Sequence, residues 1–271
     1  NITQTAAITA GELYLNGNAV LTNTANNVSL LTADTMSNLT YVNANALTVG
    51  SSSNFGSSGV NATGSVNIST QSGNLTLTEA VLTSSTAINA VVLNAGTTVA
   101  AGSATGGNIL VSGNGSVSVG SGGSAVLYTG SIANSTGVTT LVGTGSGNSN
   151  FRYNSNASSQ GYSLALSAGV SAVYREQPTF TVTANSSNVT YGTAPTLSAS
   201  TNGVNGDTYA QIFGSNTPTL NVTGNTSTSG NYVGGNHTIV VSGGANQLGY
   251  ASPSYVNGTL NATKVEIKSA S

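Results

Sequence analysis

The 271-residue sequence has no cysteine and no tryptophan, and it carries four Lys or Arg against six Asp or Glu. Without cysteine there are no disulfides, no thiolate metal sites and no cysteine nucleophiles, so stability rests on packing and backbone hydrogen bonds. Four basic residues are too few to neutralise a run of phosphates, which excludes a nucleic-acid-binding surface. No apolar run approaches the roughly 18 residues of a membrane span. Charged residues make up 4 % of the chain, against roughly 25 % in an ordinary globular domain. Acid–base catalysis therefore has little to draw on. His237 is the one histidine, and Glu12, Asp34, Glu79, Glu176, Asp207 and Glu266 show no pairing in sequence. A triad, a zinc site, a carboxylate pair for glycoside hydrolysis or a calcium loop would each need more. The expectation is a protein that is not an enzyme, with no catalytic residue, no metal and no cofactor.

Small polar residues fill the space left. There are 40 Ser, 39 Thr, 34 Asn and 35 Gly, more than half of the chain. Yet 38 % is hydrophobic, arranged in short alternating runs, so the chain folds rather than staying disordered. It begins at Asn1 without a charged or apolar leader, which reads as a processed product or an internal piece. All four prolines, Pro178, Pro195, Pro218 and Pro253, lie beyond residue 177, and eight of eleven tyrosines lie beyond residue 150. The composition thus changes near Tyr174, giving expected domains at 1–175 and 176–271. Arg152 and Arg175-Glu176 beside this join read as a small ion pair and polar seam at a domain junction, worth about 0–1 kcal/mol if exposed.

Upstream of the join the sequence repeats. Runs such as Val28-Ser29-Leu30, Leu47-Thr48-Val49 and Val66-Asn67-Ile68, then Val91, Ile109 and Val126, follow one another at a mean step of about 20 residues, with a second register at Leu39, Leu75 and Val117. This is the pattern of an all-β solenoid, a parallel β-helix with more than one strand per coil. The composition then has a cause. Coils stack about 4.8 Å apart, so like charges in equivalent positions would repel. Asn, Ser and Thr form ladders without net charge instead, while Val, Ile, Leu and Ala fill the interior. Asn16-Gly17, Asn114-Gly115 and Gly122-Gly123, with the Gly-rich stretches Gly102–Gly107 and Gly113–Gly123, read as corners rather than phosphate loops. The segment Leu77–Gly96 is compatible with a helix but reads as strand in this context.

Certain segments resemble a known family. Asn1-Ile2-Thr3-Gln4-Thr5-Ala6-Ala7-Ile8-Thr9, Ala44-Asn45-Ala46-Leu47-Thr48-Val49-Gly50 and Ala62-Thr63-Gly64-Ser65-Val66-Asn67-Ile68-Ser69-Thr70 resemble the repeats of filamentous-haemagglutinin-like exoproteins of Gram-negative bacteria. Those are two-partner-secreted adhesins, so the resemblance implies a right-handed β-helical stem and export through a dedicated outer-membrane transporter. Further on, Tyr191-Gly192-Thr193-Ala194-Pro195-Thr196-Leu197, Val204-Asn205-Gly206-Asp207-Thr208, Gly230-Asn231-Tyr232, Ile239-Val240-Val241-Ser242-Gly243-Gly244 and Tyr255-Val256-Asn257-Gly258-Thr259-Leu260 resemble the YGX-type MBG module of bacterial surface proteins. This implies a small β-sandwich or β-grasp-like module after the stem. The link from Tyr232 to the Ile239 strand is longer than the module's usual one, which leaves the pairing of that loop open.

These readings give a non-enzymatic structural or adhesive protein of the extracellular space or bacterial cell surface, serving adhesion, biofilm or matrix building. Its partners are copies of itself, or host and matrix glycans and proteins, with no nucleic acid and no membrane span. Tyr191, Tyr232, Tyr250 and Tyr255 are candidate glycan contacts, because aromatic faces suit apolar sugar planes; core tyrosines are the competing explanation. Sixteen Asn-x-Ser/Thr sequons occur, and Asn27, Asn38, Asn61, Asn67, Asn74, Asn188, Asn221 and Asn261 are candidate glycosylation positions. The alternative function is a self-assembling extracellular filament joined through its termini, with Val265 and Ile267 on an intersubunit strand. A third reading is a carbohydrate-binding or polysaccharide-degrading β-helix. Ice binding fails because Thr-x-Thr pairs such as Thr76 and Thr78 do not recur at the coil period.

Overall fold

The structure, a computed structural model, describes residues 1–143 and 150–264. Val265 and Ile267 lie outside the described residues. The chain divides into two compact units, Asn1–Pro178 and Thr179–Ser271.

The first unit is a parallel β-helix. One face is a sheet of β1 (Ile2–Thr3), β3 (Ala19–Leu21), β5 (Leu39–Asn43), β10 (Val66–Thr70), β13 (Val91–Ala95), β16 (Ser124–Thr129) and β18 (Gly169–Tyr174), with β17 (Phe151–Arg152) added beyond β18. All these pairings are parallel. The other sides begin as two long strands, β2 (Thr9–Asn16) and β4 (Asn27–Met36), paired in register. Each later coil splits that long strand in two. The first half continues as β6 (Leu47–Val49), β11 (Leu75–Leu77) and β14 (Ile109–Val111). The second half continues as β9 (Val60–Ala62), β12 (Val81–Thr83) and β15 (Val117–Ser118). A hairpin of β7 (Ser51–Ser52) and β8 (Ser57–Ser58) sits between β6 and β9, and a one-turn α1 (Val138–Val142) follows β16 in the chain and lies beside β14.

Alternation explains which side chains go inward. Successive strands of the first face stack Leu21, Tyr41, Ile68, Leu93, Leu127 and Ala172 in one row, each almost fully buried. Leu31, Val49 and Leu77 form a second row, and Leu15, Ala33, Val60 and Val81 a third. Burying each Leu or Ile of such a row contributes roughly 1.5–3 kcal/mol. The strand reading of Leu77–Gly96 holds, since β11, β12 and β13 account for its regular structure.

The even period of about 20 residues does not hold. On the first face Ala19 pairs with Leu39, 20 residues on, whereas Ala125 pairs with Val170, 45 residues on. The coils lengthen because residues are added at the corners while the rungs stay short. Evenly spaced apolar runs therefore sampled different faces: Leu47 lies on β6 and Val66 on β10, which belong to separate sheets.

Neutral ladders run along the corners. Asn18 Nδ2 donates to Asn1 Oδ1 (2.6 Å), the Asn38 amide to Asn18 Oδ1 (3.1 Å), and the Ser65 amide to Asn38 Oδ1 (2.8 Å). Where the first face turns into the second, Asn26 and Asn43 are fully buried. Asn43 Oδ1 accepts from the Val28 amide (2.9 Å) and from the Tyr41 hydroxyl (3.0 Å), and its Nδ2 donates to the Val28, Asn45 and Ala46 carbonyls. A buried corner has backbone groups that no strand can satisfy, and an amide offers both donors and acceptors. At Gly107 a Cβ would lie 2.1 Å from the Gly73 carbonyl oxygen, so adjacent coils approach there too closely for any side chain.

The second unit has two small sheets. One comprises β19 (Thr181–Ala184), β21 (Ala199–Thr201) and β24 (Ser254–Val256), and the other β20 (Ser187–Thr190), β22 (Thr219–Thr223), β23 (Gly235–Ser242) and β25 (Gly258–Thr263). Val182 and Ala184 from the first sheet and Ile239, Val241, Leu260 and Ala262 from the second are buried, together with Phe180 and Leu248. The short α2 (Tyr209–Phe213) adds Ile212 and Phe213 to this core. It starts at a reciprocal cap in which Thr208 and Gln211 bond each other's backbone amide.

Candidate functional site

The four candidate tyrosines do not form one surface. Tyr191 follows β20 and is partly exposed, with its hydroxyl donating to Ser227 Oγ (3.0 Å) and lying 3.4 Å from Ser229 Oγ. These hydrogen bonds, Ser227 first, lower its pKa below the usual phenol value. Tyr232 ends the same turn, bridged to Thr226, and its ring lies 5.2 Å from that of His237. The loop left open by its length is resolved by β23, which starts at Gly235 and absorbs part of the link. Tyr255 lies on β24, half exposed, and donates to the Gly243 carbonyl (2.5 Å). Tyr250 must be corrected: it is buried, packs its ring 4.9 Å from Phe180, and donates to Asp207 Oδ2 (2.8 Å). A ring enclosed in this way has no face for a sugar. Asp207 is accordingly a buried acceptor in the core of the second unit.

Of the candidate glycosylation positions, Asn27, Asn38, Asn61, Asn67, Asn188, Asn221 and Asn261 are exposed, and Asn74 is half-buried. Three of them already hold structural bonds. Asn27 Oδ1 accepts from Asn45 Nδ2 (3.1 Å), Asn38 takes part in the corner ladder, and Asn74 Oδ1 accepts from the Asn108 amide (2.9 Å).

The arginines near the join are not exposed partners in a polar seam. Arg175 is fully buried, and its guanidinium donates to the carbonyls of Ala95 (2.5 Å), Thr105 (3.0 Å) and Gly107 (2.6 Å). Glu176 instead accepts from the Ile132 amide through Oε2 (2.6 Å). Burial pushes the Arg175 guanidinium down to about 10. Arg152 is buried as well, donating to the Phe151, Leu164 and Ala165 carbonyls with its guanidinium carbon 5.5 Å from the Tyr162 ring centre. These two cations hold the long last coil closed. Their acceptors are backbone oxygens up to 80 residues away in sequence, so no motif signals them.

A second feature also escapes sequence reasoning. The β7–β8 hairpin folds back over β4 and β2. Ser52 Oγ donates to Glu12 Oε2 (2.6 Å) and Ser57 Oγ to Asp34 Oδ2 (2.6 Å), while the Phe55 ring stacks on Tyr14 with centres 5.6 Å apart and planes 21° from parallel. Asn16 Nδ2 donates to the Tyr14 hydroxyl (3.2 Å). Two of the chain's six acids and one of its four phenylalanines thus meet on one outer patch. The signal available was modest: a ten-residue interval of small residues around a lone Phe, between two apolar runs.

Among the described residues no three His, Asp or Glu side chains gather as a metal site would require, and no helix is long and apolar enough to cross a membrane. Comparison with protein-family models, curated proteins and solved structures returned no match.

Proposed function

We propose that the chain is a non-enzymatic structural and adhesive segment of an extracellular bacterial surface protein, a β-helical stem followed in sequence by a small β module. The observation that carries this reading is the interior of the first unit. Rows of aliphatic side chains run through successive coils, while the corners are satisfied by Asn and Ser ladders instead of ion pairs. A stem built in this way draws its cohesion from bonds that neither titrate in the ordinary pH range nor weaken with salt, which suits an exposed location. The filament reading keeps one specific support. β2 lacks a described neighbour on the side away from β4, and an eight-residue edge without proline can accept a strand.

Electron microscopy of the purified chain over a concentration series, combined with adherence of cells displaying it on their surface, tests the proposal. Short rods of constant length with display-dependent adherence support the adhesive stem. Polymers with a regular repeat transfer the function to self-assembly. Absence of adherence to cells, matrix proteins and glycans, with no polymers formed, removes both readings.

A further inference from the structure

The corner between the two halves of the former long strand is crossed three times, at very different lengths. From β11 to β12 the chain needs only Thr78, Glu79 and Ala80, yet from β6 to β9 it runs from Gly50 to Gly59. The additional residues are not required to turn the corner. In solenoids, insertions of this kind collect on the binding face. Here the insertion is fastened down by two carboxylates, and it holds up Phe55, which is 50 % exposed and is the one aromatic among the large exposed apolar side chains of the first unit.

We propose that this patch, centred on Phe55 and Tyr14 and flanked by Glu12, Asp34 and Asn16, binds a neutral saccharide. The stacked Phe55 and Tyr14 present an aromatic face to the C–H face of a pyranose ring. Sugar hydroxyls need acceptors beside that face, and ionised carboxylates accept the strongest hydrogen bonds. Glu12 and Asp34 are half-buried, and Ser52 and Ser57 each engage only one oxygen of these carboxylates, Glu12 Oε2 and Asp34 Oδ2. Their arrangement favours an extended ligand over a single ion. Glu12 pairs with Leu30 and Asp34 with Asn16, four residues further along the strands. At about 3.3 Å per residue this sets the two backbone positions roughly 13 Å apart, bracketing Tyr14 from both ends. A saccharide of two or three units laid along the strands spans that distance. The floor beneath is polar too: Thr32, opposite Tyr14 on β4, is fully buried with its hydroxyl unpartnered.

The inference rests on the adhesive reading, and its test separates the two. The full chain is run by affinity electrophoresis through gels containing xyloglucan, mixed-linkage β-glucan, galactomannan or dextran. Retardation by at least one of these is expected. Phe55→Ala should weaken it about tenfold, Glu12→Gln with Asp34→Asn about fivefold, and Ile88→Ala, at another exposed apolar side chain of the first unit, should leave it unchanged. Phe55→Trp, which keeps the platform, should retain binding whether or not Phe55→Ala folds. No retardation of the unaltered chain, or equal retardation of Phe55→Ala in its folded form, overturns the proposal. So does a rise in unfolding temperature with millimolar calcium that Asp34→Asn abolishes and Phe55→Ala leaves intact, which would make the patch a cation site. Adherence that persists in Phe55→Ala also overturns the saccharide site while sparing the adhesive function.

Discussion

The first and the last described coils of the β-helix are built on different plans. At the start, the first coil consists of Ile2–Thr3 and Thr9–Asn16, and Ile2, Ala10 and Leu13 are only partly buried, whereas their stacked partners Ala19, Val28 and Leu31 are fully so. Small neutral residues dominate there, with Asn18 donating to Asn1 in the corner ladder. At the other end the last coil is long and closed by large groups. Phe151, Arg152, Tyr153, Tyr174 and Arg175 are all buried, and the Tyr153 and Tyr174 rings stack 5.8 Å apart. The difference teaches that a stack of repeated rungs can continue at low cost, whereas the last coil draws on arginines found nowhere else along the stack and on a cluster of aromatic rings. Closing an end takes apolar bulk and donors strong enough to satisfy carbonyls that no further strand will meet.

If that contrast is right, the largest loss comes from the closed end. Arg175→Met should lower the unfolding free energy of the first unit by about 3 kcal/mol, because three buried carbonyls lose a charged donor; denaturant titration followed by circular dichroism measures it. A corner in the middle of the stack should rank next. Asn43→Ala leaves the Val28 amide and carbonyl without partners and should cost about 2 kcal/mol by the same titration. At the open end, Ile2→Ala should change stability by less than about 1 kcal/mol. Hydrogen exchange should show β1 amides exchanging far faster than those of β16 and β18. Equal loss at both ends would dissolve the comparison.

Alkaline pH sharpens it in another way. Burial raises the pKa of Tyr41, Tyr128 and Tyr162 in the first unit above the ordinary value of 10. The unfolded chain releases those protons first, so the stability they contribute is complete below about pH 10 and falls as pH rises beyond it. Unfolding midpoints should therefore decline from about pH 10 upward, and Tyr41→Phe should flatten the decline. A midpoint constant to pH 12 would show that these phenols do not govern the stack.

The solenoid itself was legible because short apolar runs between Gly, Asn and Ser have few other uses. The even period was not, because the corner residues between Val49 and Val60, or between Thr129 and Gly169, follow no rule that rungs impose. The composition changes near Tyr174, and the chain divides into two compact units after Pro178. Tyr250 could not be told from Tyr255 by sequence, since both sit in short Ser- and Gly-rich stretches and only the first lies beneath Phe180. Glu12 and Ser52 meet across 40 residues, and only the fold of the intervening coils brings them together.

Coil length is free to vary here while rung position is not. An insertion at an exposed corner leaves every stacked pair where it was, whereas the corners at Asn26 and Asn43 are buried and fixed. Mutational drift in length is consequently channelled to the outer corners. A lineage carrying such a β-helix can remodel its outer corners without reopening the question of how the coils fold.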